Sequence, residues 1–367
     1  MTTFATMFSF YTSLAKSLFS LAFARLYKAQ VVPPRDLTGQ TAIVTGANSG
    51  IGLSIAVALA TQGADVYLAC RNAVRGAAAV DHVIAQCHNK SQARVSCRIL
   101  DVGDAATVRA FCEQWPKGVK IDMLVHNAGI AAPPTGASTK TMERLNLLYT
   151  TNFLGSFLIT HLLEPHLSPT ARVVMTSSTG SYSAASHFLR GDTFGRIPGP
   201  SKPGIVARTI TKSKAMLGID AEGSAGAYGV SKAQQVLFAN LLQRHFDTQS
   251  QASNGDGARR TAHAFTPGFT STPIFGKLNV TWRTWISDPL FAMLKLTEKW
   301  VAVDTDEGAK TGIWLATWGD VLGTTKRGGA FWDRMQMRTS IVDLMDEKRT
   351  IREWELWGKD AEIMWPI

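Results

Sequence analysis

The strongest constraint on the fold is a stretch at residues 41 to 70, where strand-like and helix-like segments alternate around a glycine-rich turn. An apolar segment from Thr41 to Val44 leads into TGANSGIG, a helical run follows, and a second apolar segment spans Val66 to Cys70. This order predicts a βαβ unit with parallel strands. Glycines in the turn let the backbone approach a pyrophosphate, whose charge would lie at the N-terminus of the following helix. The turn therefore predicts a dinucleotide-binding loop formed by Gly46, Asn48, Ser49, Gly50, Ile51 and Gly52.

The end of the second predicted strand selects between two forms of the cofactor. A carboxylate there would hydrogen-bond the adenosine 2′-hydroxyl and repel a 2′-phosphate. Cys70 occupies that position and Arg71 follows it. Because a guanidinium can pair with the 2′-phosphate, these residues favour NADP(H) over NAD(H). The alternative is that Arg71 is an ordinary solvated charge at a strand end.

Two more predicted strands end in polar residues or glycine. ARVSCRILDVGD gives a third strand that ends at Asp101 and Val102, and IDMLVHNAGI gives a fourth that ends in Asn127, Ala128 and Gly129. Ligands of open parallel sheets bind beyond the carboxyl ends of the strands. Asp101 is therefore expected at the adenine, and Gly129 is expected to let the backbone approach the ribose. Asp101 could instead cap the next helix, and Asn127 could satisfy a turn.

Tyr228 and Lys232 are four residues apart in AYGVSKAQQVLF. On a helix this spacing places the phenol and the ammonium on one face, where the cation can lower the pKa of the tyrosine and make it a usable acid or base. A preceding apolar strand, Arg172 to Met175, delivers Ser177 and Ser178 to the same sheet edge as the glycine loop. A Tyr–Lys pair with this spacing also occurs on many half-buried helices, so its meaning depends on the neighbouring cofactor site.

In combination these motifs resemble the short-chain dehydrogenase/reductase family: TGxxxGxG at 45 to 52, NAG after the fourth strand and YxxxK from 228. VYLACRN, AYGVSKAQQVLF and DEGAKTGIWLAT look like the retinol-dehydrogenase-like branch, whose members generally use NADP(H) or NAD(H) on lipophilic alcohols and carbonyls. The likeness covers about residues 38 to 345, and His126 departs from it by replacing the usual Asn before NAG. It implies an α/β fold, a doubly wound parallel sheet of the Rossmann type with about seven strands, in a single domain.

The resemblance also implies a catalytic set of Asn152, Ser178, Tyr228 and Lys232. Ser178 would bind the substrate oxygen and Tyr228 would exchange a proton with it. Lys232 would lower the pKa of the phenol and hold the nicotinamide ribose, and Asn152 would position a water or a backbone carbonyl in the proton path. Pro267, Gly268 and Thr272 follow the sixth strand, and Thr272 is implied at the carboxamide or phosphates, although it could simply be a helix N-cap. The chemistry needs no metal.

Residues 1–36 are predicted to form an amphipathic membrane-associating segment and a linker. On a helical wheel of residues 2–24, one arc is apolar and the opposite arc carries Ser, Thr and Lys16, which favours a helix lying in the lipid interface. The alternatives are a spanning anchor, a cleaved transit peptide and a helix packed on the enzyme itself. The net charge of +10 favours an anionic membrane surface over nucleic acid, because no zinc spacing or RNA-binding signature accompanies it. The four cysteines are expected to be reduced thiols, which indicates a cytosol-facing protein. The expected location is the surface of the endoplasmic reticulum or of lipid droplets, and the sparse arginines of the N-terminal segment disfavour a mitochondrial transit peptide.

Residues 37–345 are predicted to form the Rossmann domain, with a substrate-side insertion at 179–227 that is either a lid or a surface excursion. An apolar segment at 278–300 is a candidate wall of the substrate site, or plain core. Residues 346–367 form a Trp-rich tail that is expected to dock onto the domain or onto a partner in a possible homodimer.

Taken together, the sequence predicts an NADP(H)-dependent carbonyl reductase of a lipophilic substrate, such as a retinoid, a sterol, or a fatty or polyketide-like compound. Reduction is the expected direction because cells usually keep NADPH reduced. The alternative is a non-catalytic NADP(H)-binding regulatory or scaffold protein at a membrane.

Overall fold

A central sheet carries the strands in the order β3-β2-β1-β4-β5-β6-β7-β8. The computed structural model describes residues 4–132, 145–184, 224–252, 259–271, 296, 298–317 and 328–367. The strands are β1 (Thr41–Thr45), β2 (Asp65–Cys70), β3 (Val95–Ile99), β4 (Ile121–His126), β5 (Leu167–Thr176), β6 (Thr261–Thr266), β7 (Phe331–Asp333) and β8 (Gln336–Arg338). The first seven pair in parallel, and β8 returns antiparallel to β7.

Helices cover both faces of this sheet. They are α1 (Phe4–Ala22), α2 (Gly50–Thr61), α3 (Ala73–Gln86), α4 (Ala105–Glu113), α5 (Leu147–Tyr149), α6 (Gly155–Leu163), α7 (Ser224–Ala252), α8 (Thr305–Thr317) and α9 (Glu347–Asp360). A π-helical turn, Thr150–Leu154, joins α5 to α6. One buried cluster includes Ile55 of α2, Val83 of α3 and Leu315 of α8, and a second includes Phe157 of α6 and Phe238 of α7.

These two cores, one on each face, make the sheet doubly wound, which confirms the Rossmann-type prediction. The expected seven parallel strands are present. The eighth strand was not predicted, because β8 has three residues and follows a tight turn in which Arg334 and Met335 have positive φ angles of 51° and 58°. A three-residue strand has no periodicity that a sequence pattern could reveal.

The strand order reverses between β1 and β4, which are neighbours in the sheet. Chain segments leaving two such strands diverge to opposite faces and open a crevice beyond their carboxyl ends. That crevice lies between the glycine-rich loop after β1 and the Asn127–Gly129 segment after β4. The fold thus places the two predicted cofactor loops side by side.

The N-terminal helix α1 packs beside the β7–β8 edge through a mixed side, in which buried serines lie next to Phe10. The Phe10 ring is 2% exposed and its centre lies 5.3 Å from that of Tyr182. Ser17 and Ser20 are buried and donate hydrogen bonds to Asp333 at 2.9 and 3.2 Å. Most of its large apolar side chains face outward: Phe4, Phe8, Tyr11, Leu18 and Phe19 are all more than half exposed. Among the described residues, no helix is both long enough and apolar enough to cross a membrane.

The C-terminal tail packs in the opposite sense. Trp354 and Trp357 of α9 are 2% and 1% exposed and contact the rings of Phe153, Phe157 and Phe238. Trp365 closes the cluster and donates a hydrogen bond to Glu164 at 3.0 Å. The predicted docking of the tail therefore takes place on its own domain.

Candidate active site

The glycine-rich loop is tied to the loop after β4 by a small set of contacts. Gly46 has a φ of +65°, and a Cβ atom there would lie 2.8 Å from the Cα of Ala128, so only glycine permits this approach. Asn127 donates from Nδ2 to the carbonyl of Thr45 at 3.1 Å, and the Thr45 hydroxyl accepts from the amides of Asn127 and Ala128. Asn127 thus holds the two loops together, as the turn interpretation expected. The remaining loop residues, Asn48, Ser49, Gly50, Ile51 and Gly52, lead into the first turn of α2.

Arg71 and Asp101 come together at the ends of β2 and β3. The guanidinium lies 3.6 Å from the Asp101 carboxylate, and the two side chains are 62% and 33% exposed. Asp101 also accepts a hydrogen bond from the amide of Gly103 at 3.0 Å, so it shapes its own turn as well. Val102, beside it, is buried. An exposed ion pair of this kind contributes little to stability, which leaves the guanidinium available to an anionic ligand.

The two serines after β5 have different roles. The hydroxyl of Ser177 is buried and donates to the carbonyl of Lys232 at 2.7 Å, which fixes β5 to α7. The hydroxyl of Ser178 is hydrogen-bonded to Tyr228 and accepts from the amide of Gly180 at 3.1 Å. Ser178 rather than Ser177 therefore faces the tyrosine.

Tyr228 and Lys232 lie together on α7, with the ammonium nitrogen 5.6 Å from the centre of the tyrosine ring. Lys232 is 3% exposed, and it donates to the carbonyl of Thr176 at 2.8 Å. Burial raises the pKa of Tyr228 to about 12, although the hydrogen bond from Ser178 opposes this shift. Burial also lowers the pKa of Lys232 to about 7. The expected lowering of the tyrosine pKa is therefore reversed here, because loss of solvation favours the neutral form of both groups.

Asn152 lies in the π-helical turn, and its side chain holds the segment after β4. Its Oδ1 accepts from the amide of Ile130 at 2.8 Å, and its Nδ2 donates to the carbonyl of Ile130 at 2.9 Å and to the hydroxyl of Ser231 at 3.0 Å. Its own carbonyl accepts from Nε2 of Gln235 at 2.6 Å. The backbone carbonyl that the resemblance implies in the proton path is thus engaged by a side chain that the sequence analysis did not single out.

Gln235, Ser231 and Thr45 are the residues of the site that sequence reasoning missed. Gln235 could have been found, because it follows Lys232 by three residues and lies on the same face of a helix whose next residues are apolar. Thr45 is the first residue of the TGxxxGxG motif, but the motif did not indicate that its hydroxyl accepts from the amides of Asn127 and Ala128.

Three other expectations have mixed outcomes. Pro267 and Gly268 follow β6 as predicted, with Gly268 at a φ of +71°. Thr272, most of the 179–227 insertion and nearly all of the 278–300 segment lie outside the described residues.

His126 is buried, forms a hydrogen bond with Thr160 of α6 at 2.8 Å and has its pKa lowered to about 3 by burial. The departure from the family pattern at this position is therefore a core histidine.

The residues present fit a nicotinamide dinucleotide. The crevice offers the backbone amides at the start of α2 for a pyrophosphate and the exposed Arg71 for a phosphate on the adenosine. Gly129 leaves space at the other end of the crevice, because a Cβ atom there would lie 3.1 Å from Oδ1 of Asn152 and 3.4 Å from Nζ of Lys232. The hydroxyls of Ser178 and Tyr228 lie on the same side of the sheet edge as the buried amine of Lys232. This arrangement can bind a carbonyl oxygen and exchange a proton with it.

Comparison with known proteins gives matches over most of the chain. A family model described as short chain dehydrogenase matches residues 40–189. Retinol dehydrogenase 12 of Mus musculus is 30% identical over 287 residues, which are 77% of this chain and 74% of that protein. WW domain-containing oxidoreductase of Gallus gallus is 30% identical over 331 residues, 89% of this chain and 69% of that protein. Dehydrogenase/reductase SDR family member 13 of Bos taurus is 42% identical over 160 residues, 43% of this chain but only 40% of the relative's own length.

Solved structures share the fold at lower identity. A putative uncharacterized protein from Mycobacterium Paratuberculosis aligns with a TM-score of 0.57 and 24% identity, over 91% of this chain and 97% of that one. A short chain dehydrogenase from Burkholderia cenocepacia, solved in complex with NADP, aligns with a TM-score of 0.53 and 21% identity, over 81% and 96%. At such identities the likeness establishes the fold alone.

Proposed function

The chain belongs to the short-chain dehydrogenase family, and from that premise we propose that it is an NADP(H)-dependent oxidoreductase that reduces a ketone or aldehyde on a lipophilic substrate. The observation that carries this proposal is the convergence of Ser178, Tyr228 and Lys232 at the crevice edge, with Asn152 behind them. A protein that only bound the cofactor would not need this set.

The side chains divide the chemistry in a simple way. When bound, NADPH supplies a hydride to the carbonyl carbon. The hydroxyl of Ser178 binds the carbonyl oxygen, and Tyr228 donates its proton to that oxygen. Burial raises the pKa of Tyr228 to about 12, so the phenol carries its proton at neutral pH and has a proton to donate to the carbonyl oxygen. Lys232 holds the ribose and faces the ring of Tyr228.

A Tyr228→Phe variant tests the enzyme proposal. Loss of the proton donor should lower kcat for NADPH-dependent carbonyl reduction by on the order of 10²–10⁴-fold. Binding of NADPH, followed by fluorescence, should remain within about twofold, because the ring still packs in place. A wild type that binds NADPH but reduces nothing across a broad panel of aldehydes and ketones would instead favour a regulatory or scaffold protein.

The preference for NADP(H) rests on Arg71, which is exposed at the end of β2 where Cys70 leaves no carboxylate. Arg71→Asp should lower the affinity for NADPH relative to NADH by about 10- to 100-fold, because a charge-assisted pair is replaced by repulsion. Arg94→Asp is the matched control, since Arg94 is also exposed and paired with an aspartate, Asp65, at 3.3 Å. An Arg71→Asp variant that kept its NADPH preference would refute the assignment.

We further propose that α1 lies on a membrane surface and gives the enzyme access to a lipophilic substrate. The outward apolar side of the helix and the exposed cations Lys16, Arg25 and Lys28 support an anionic lipid interface. The cytosolic face of the endoplasmic reticulum or of lipid droplets is the proposed location. A retinoid, a sterol, or a fatty or polyketide-like carbonyl compound is the proposed substrate class. A homodimer stays a prediction, which sedimentation of the purified protein would test.

A further inference from the structure

Gln235 joins two members of the proposed catalytic set through one side chain. It is completely buried, three residues after Lys232 on α7. Its Oε1 accepts from the ammonium of Lys232 at 3.3 Å, and its Nε2 donates to the backbone carbonyl of Asn152 at 2.6 Å. The amide therefore bridges the catalytic helix and the π-helical turn.

The chemistry of the two neighbours fixes the direction of this bridge. A lysine ammonium can only donate hydrogen bonds, and a carbonyl can only accept them. A flipped Gln235 amide would point its NH₂ at the ammonium and its oxygen at the carbonyl, so only one orientation satisfies both contacts. Gln234, adjacent and equally buried, differs: within the described residues neither of its amide atoms has a hydrogen-bond partner. Of these two adjacent buried glutamines, Gln235 alone forms the bridge to Lys232 and Asn152.

Two of the three N–H groups of the Lys232 ammonium have acceptors, and the bridge supplies one of them. One donates to the carbonyl of Thr176 at 2.8 Å and one to Gln235. The nitrogen also lies beside Gly129, where a Cβ atom would be 3.4 Å away, and 5.6 Å from the ring centre of Tyr228. With two donors held by fixed acceptors, one donor of the ammonium remains for a ligand bound next to Gly129 and the tyrosine.

The second hydrogen-bond partner of Gln235, the carbonyl of Asn152, lies in an irregular helical turn. The carbonyl of Asn152 belongs to the π-helical turn Thr150–Leu154. Such turns disturb the regular i→i−4 hydrogen-bond ladder and occur frequently at functional sites. The side chain of Asn152 meanwhile holds the backbone of Ile130, next to Gly129. One chain of contacts therefore runs from the cofactor loop through Asn152 and Gln235 to Lys232.

We propose that Gln235 is a positioning residue for the reduction: it anchors the ammonium of Lys232 to the backbone of Asn152 and so holds it against Tyr228 and the cofactor. This role rests on the function proposed above. An amide carries no exchangeable charge at neutral pH, so Gln235 acts by orientation and by its dipole and does not carry the proton. Among the described residues, the titratable group that faces Lys232 is Tyr228, and its other neighbours are neutral: the Thr176 carbonyl, Gln235 and the Gly129 backbone.

The test compares Gln235→Met, which keeps the size and removes both hydrogen bonds, with Gln234→Met as the matched control. Misplacement of a catalytic group can cost on the order of 10²-fold, so Gln235→Met should lower kcat by about that factor and change KM less than about threefold. Gln234→Met should leave both constants within about twofold. If Gln235→Met keeps its melting temperature and also keeps kcat and the pH profile within about twofold of the wild type, the proposal is wrong.

A second variant, Gln235→Glu, tests the same contact by a binding measurement that does not require turnover. It remains informative if Gln235→Met does not fold. A carboxylate beside Lys232 favours the charged amine, so the midpoint of the pH dependence of NADPH binding should move upward by about one unit or more. An unchanged midpoint would contradict the contact between the two side chains. This binding readout separates the two claims, because a protein that binds NADPH without reducing carbonyls would refute the proposed function and still report on Gln235.

Discussion

The two ends of the chain both form amphipathic helices, and the sides that they bury differ in composition. Helix α9 turns Trp354 and Trp357 into the domain and leaves its charged side to solvent. Helix α1 turns Ser17 and Ser20 into the domain together with one ring, Phe10, and leaves Phe8 and Leu18 outside. The difference shows that an apolar face does not determine by itself how a helix docks. In α1, serine hydrogen bonds to a buried carboxylate and one buried ring hold the helix, and most of its large apolar side chains remain outside.

The energetic basis of the two contacts also differs. Burial of aromatic rings at α9 removes a large apolar area from water, which is worth several kcal/mol for each tryptophan. The α1 contact buries one ring, Phe10, and otherwise uses hydrogen bonds to Asp333. Asp333 is 1% exposed, accepts from two serines and lies 3.5 Å from the guanidinium of Arg338. Hydrogen bonds of this kind contribute about 1–3 kcal/mol each when one partner is charged. The C-terminal contact should therefore be the stronger of the two.

The largest expected effect on stability comes from removing one ring of the aromatic cluster at the C-terminus. Trp357→Ala should lower the free energy of unfolding by about 3–5 kcal/mol, because it leaves a cavity among Phe153, Phe157 and Phe238. Trp300→Ala is the control, since Trp300 is 80% exposed, and it should stay within about 0.5 kcal/mol. Urea denaturation would measure both. Equal effects of the two variants would show that α9 is not part of the folded core.

An intermediate effect is expected from removing the acceptor beneath α1. Asp333→Ala leaves Ser17, Ser20 and Arg338 without their buried partner, and it should cost about 1–3 kcal/mol. Hydrogen exchange should then show the amides of α1 losing protection while those of α9 keep theirs. Ser9→Ala, which removes only an exposed contact with Thr339, serves for comparison. Unchanged protection of α1 would mean that the serine face is not what holds the helix.

Substitutions on the outward face of α1 are expected to have the smallest effect on stability. They are expected to have the largest effect on membrane binding. A Phe8→Ser, Leu18→Ser double variant should keep the free energy of unfolding within about 0.5 kcal/mol, because both side chains are more than half exposed. It should bind vesicles of phosphatidylcholine and phosphatidylserine about 100-fold more weakly, because two apolar side chains no longer enter the interface.

Val74→Ser is the matched control for this double variant, since Val74 is 79% exposed on α3, away from α1. It should bind the vesicles like the wild type. Equal binding by the double variant, or no binding by the wild type, would contradict the proposed membrane surface.

The fold could be predicted from the sequence because its signals are local. The glycine turn between an apolar strand and a helix indicates the βαβ unit, and the residues at the strand ends indicate where a ligand would bind. The choice of Ser178 over Ser177 followed from the family motif, and the structure gives its physical reason: the hydroxyl of Ser177 is committed to the carbonyl of Lys232.

The remainder depends on contacts between distant parts of the chain. The docking of α1 requires Asp333, more than 300 residues away from Ser17. The raised pKa of Tyr228 follows from burial, which the four-residue spacing to Lys232 does not reveal. The bridge through Gln235 requires a π-helical turn at Asn152, and no pattern in TTNFLG distinguishes such a turn from an ordinary helix.

The central claim is hydride transfer to a carbonyl under the control of Tyr228. The most direct test incubates the full-length protein with NADPH deuterated at C4 of the nicotinamide and a panel of lipophilic aldehydes and ketones, and examines the alcohols by mass spectrometry. The wild type should give an alcohol with one deuterium on the carbinol carbon, and Tyr228→Phe should give almost none while still binding NADPH. Equal amounts of deuterated alcohol from both proteins, or none from the wild type, would contradict the claim.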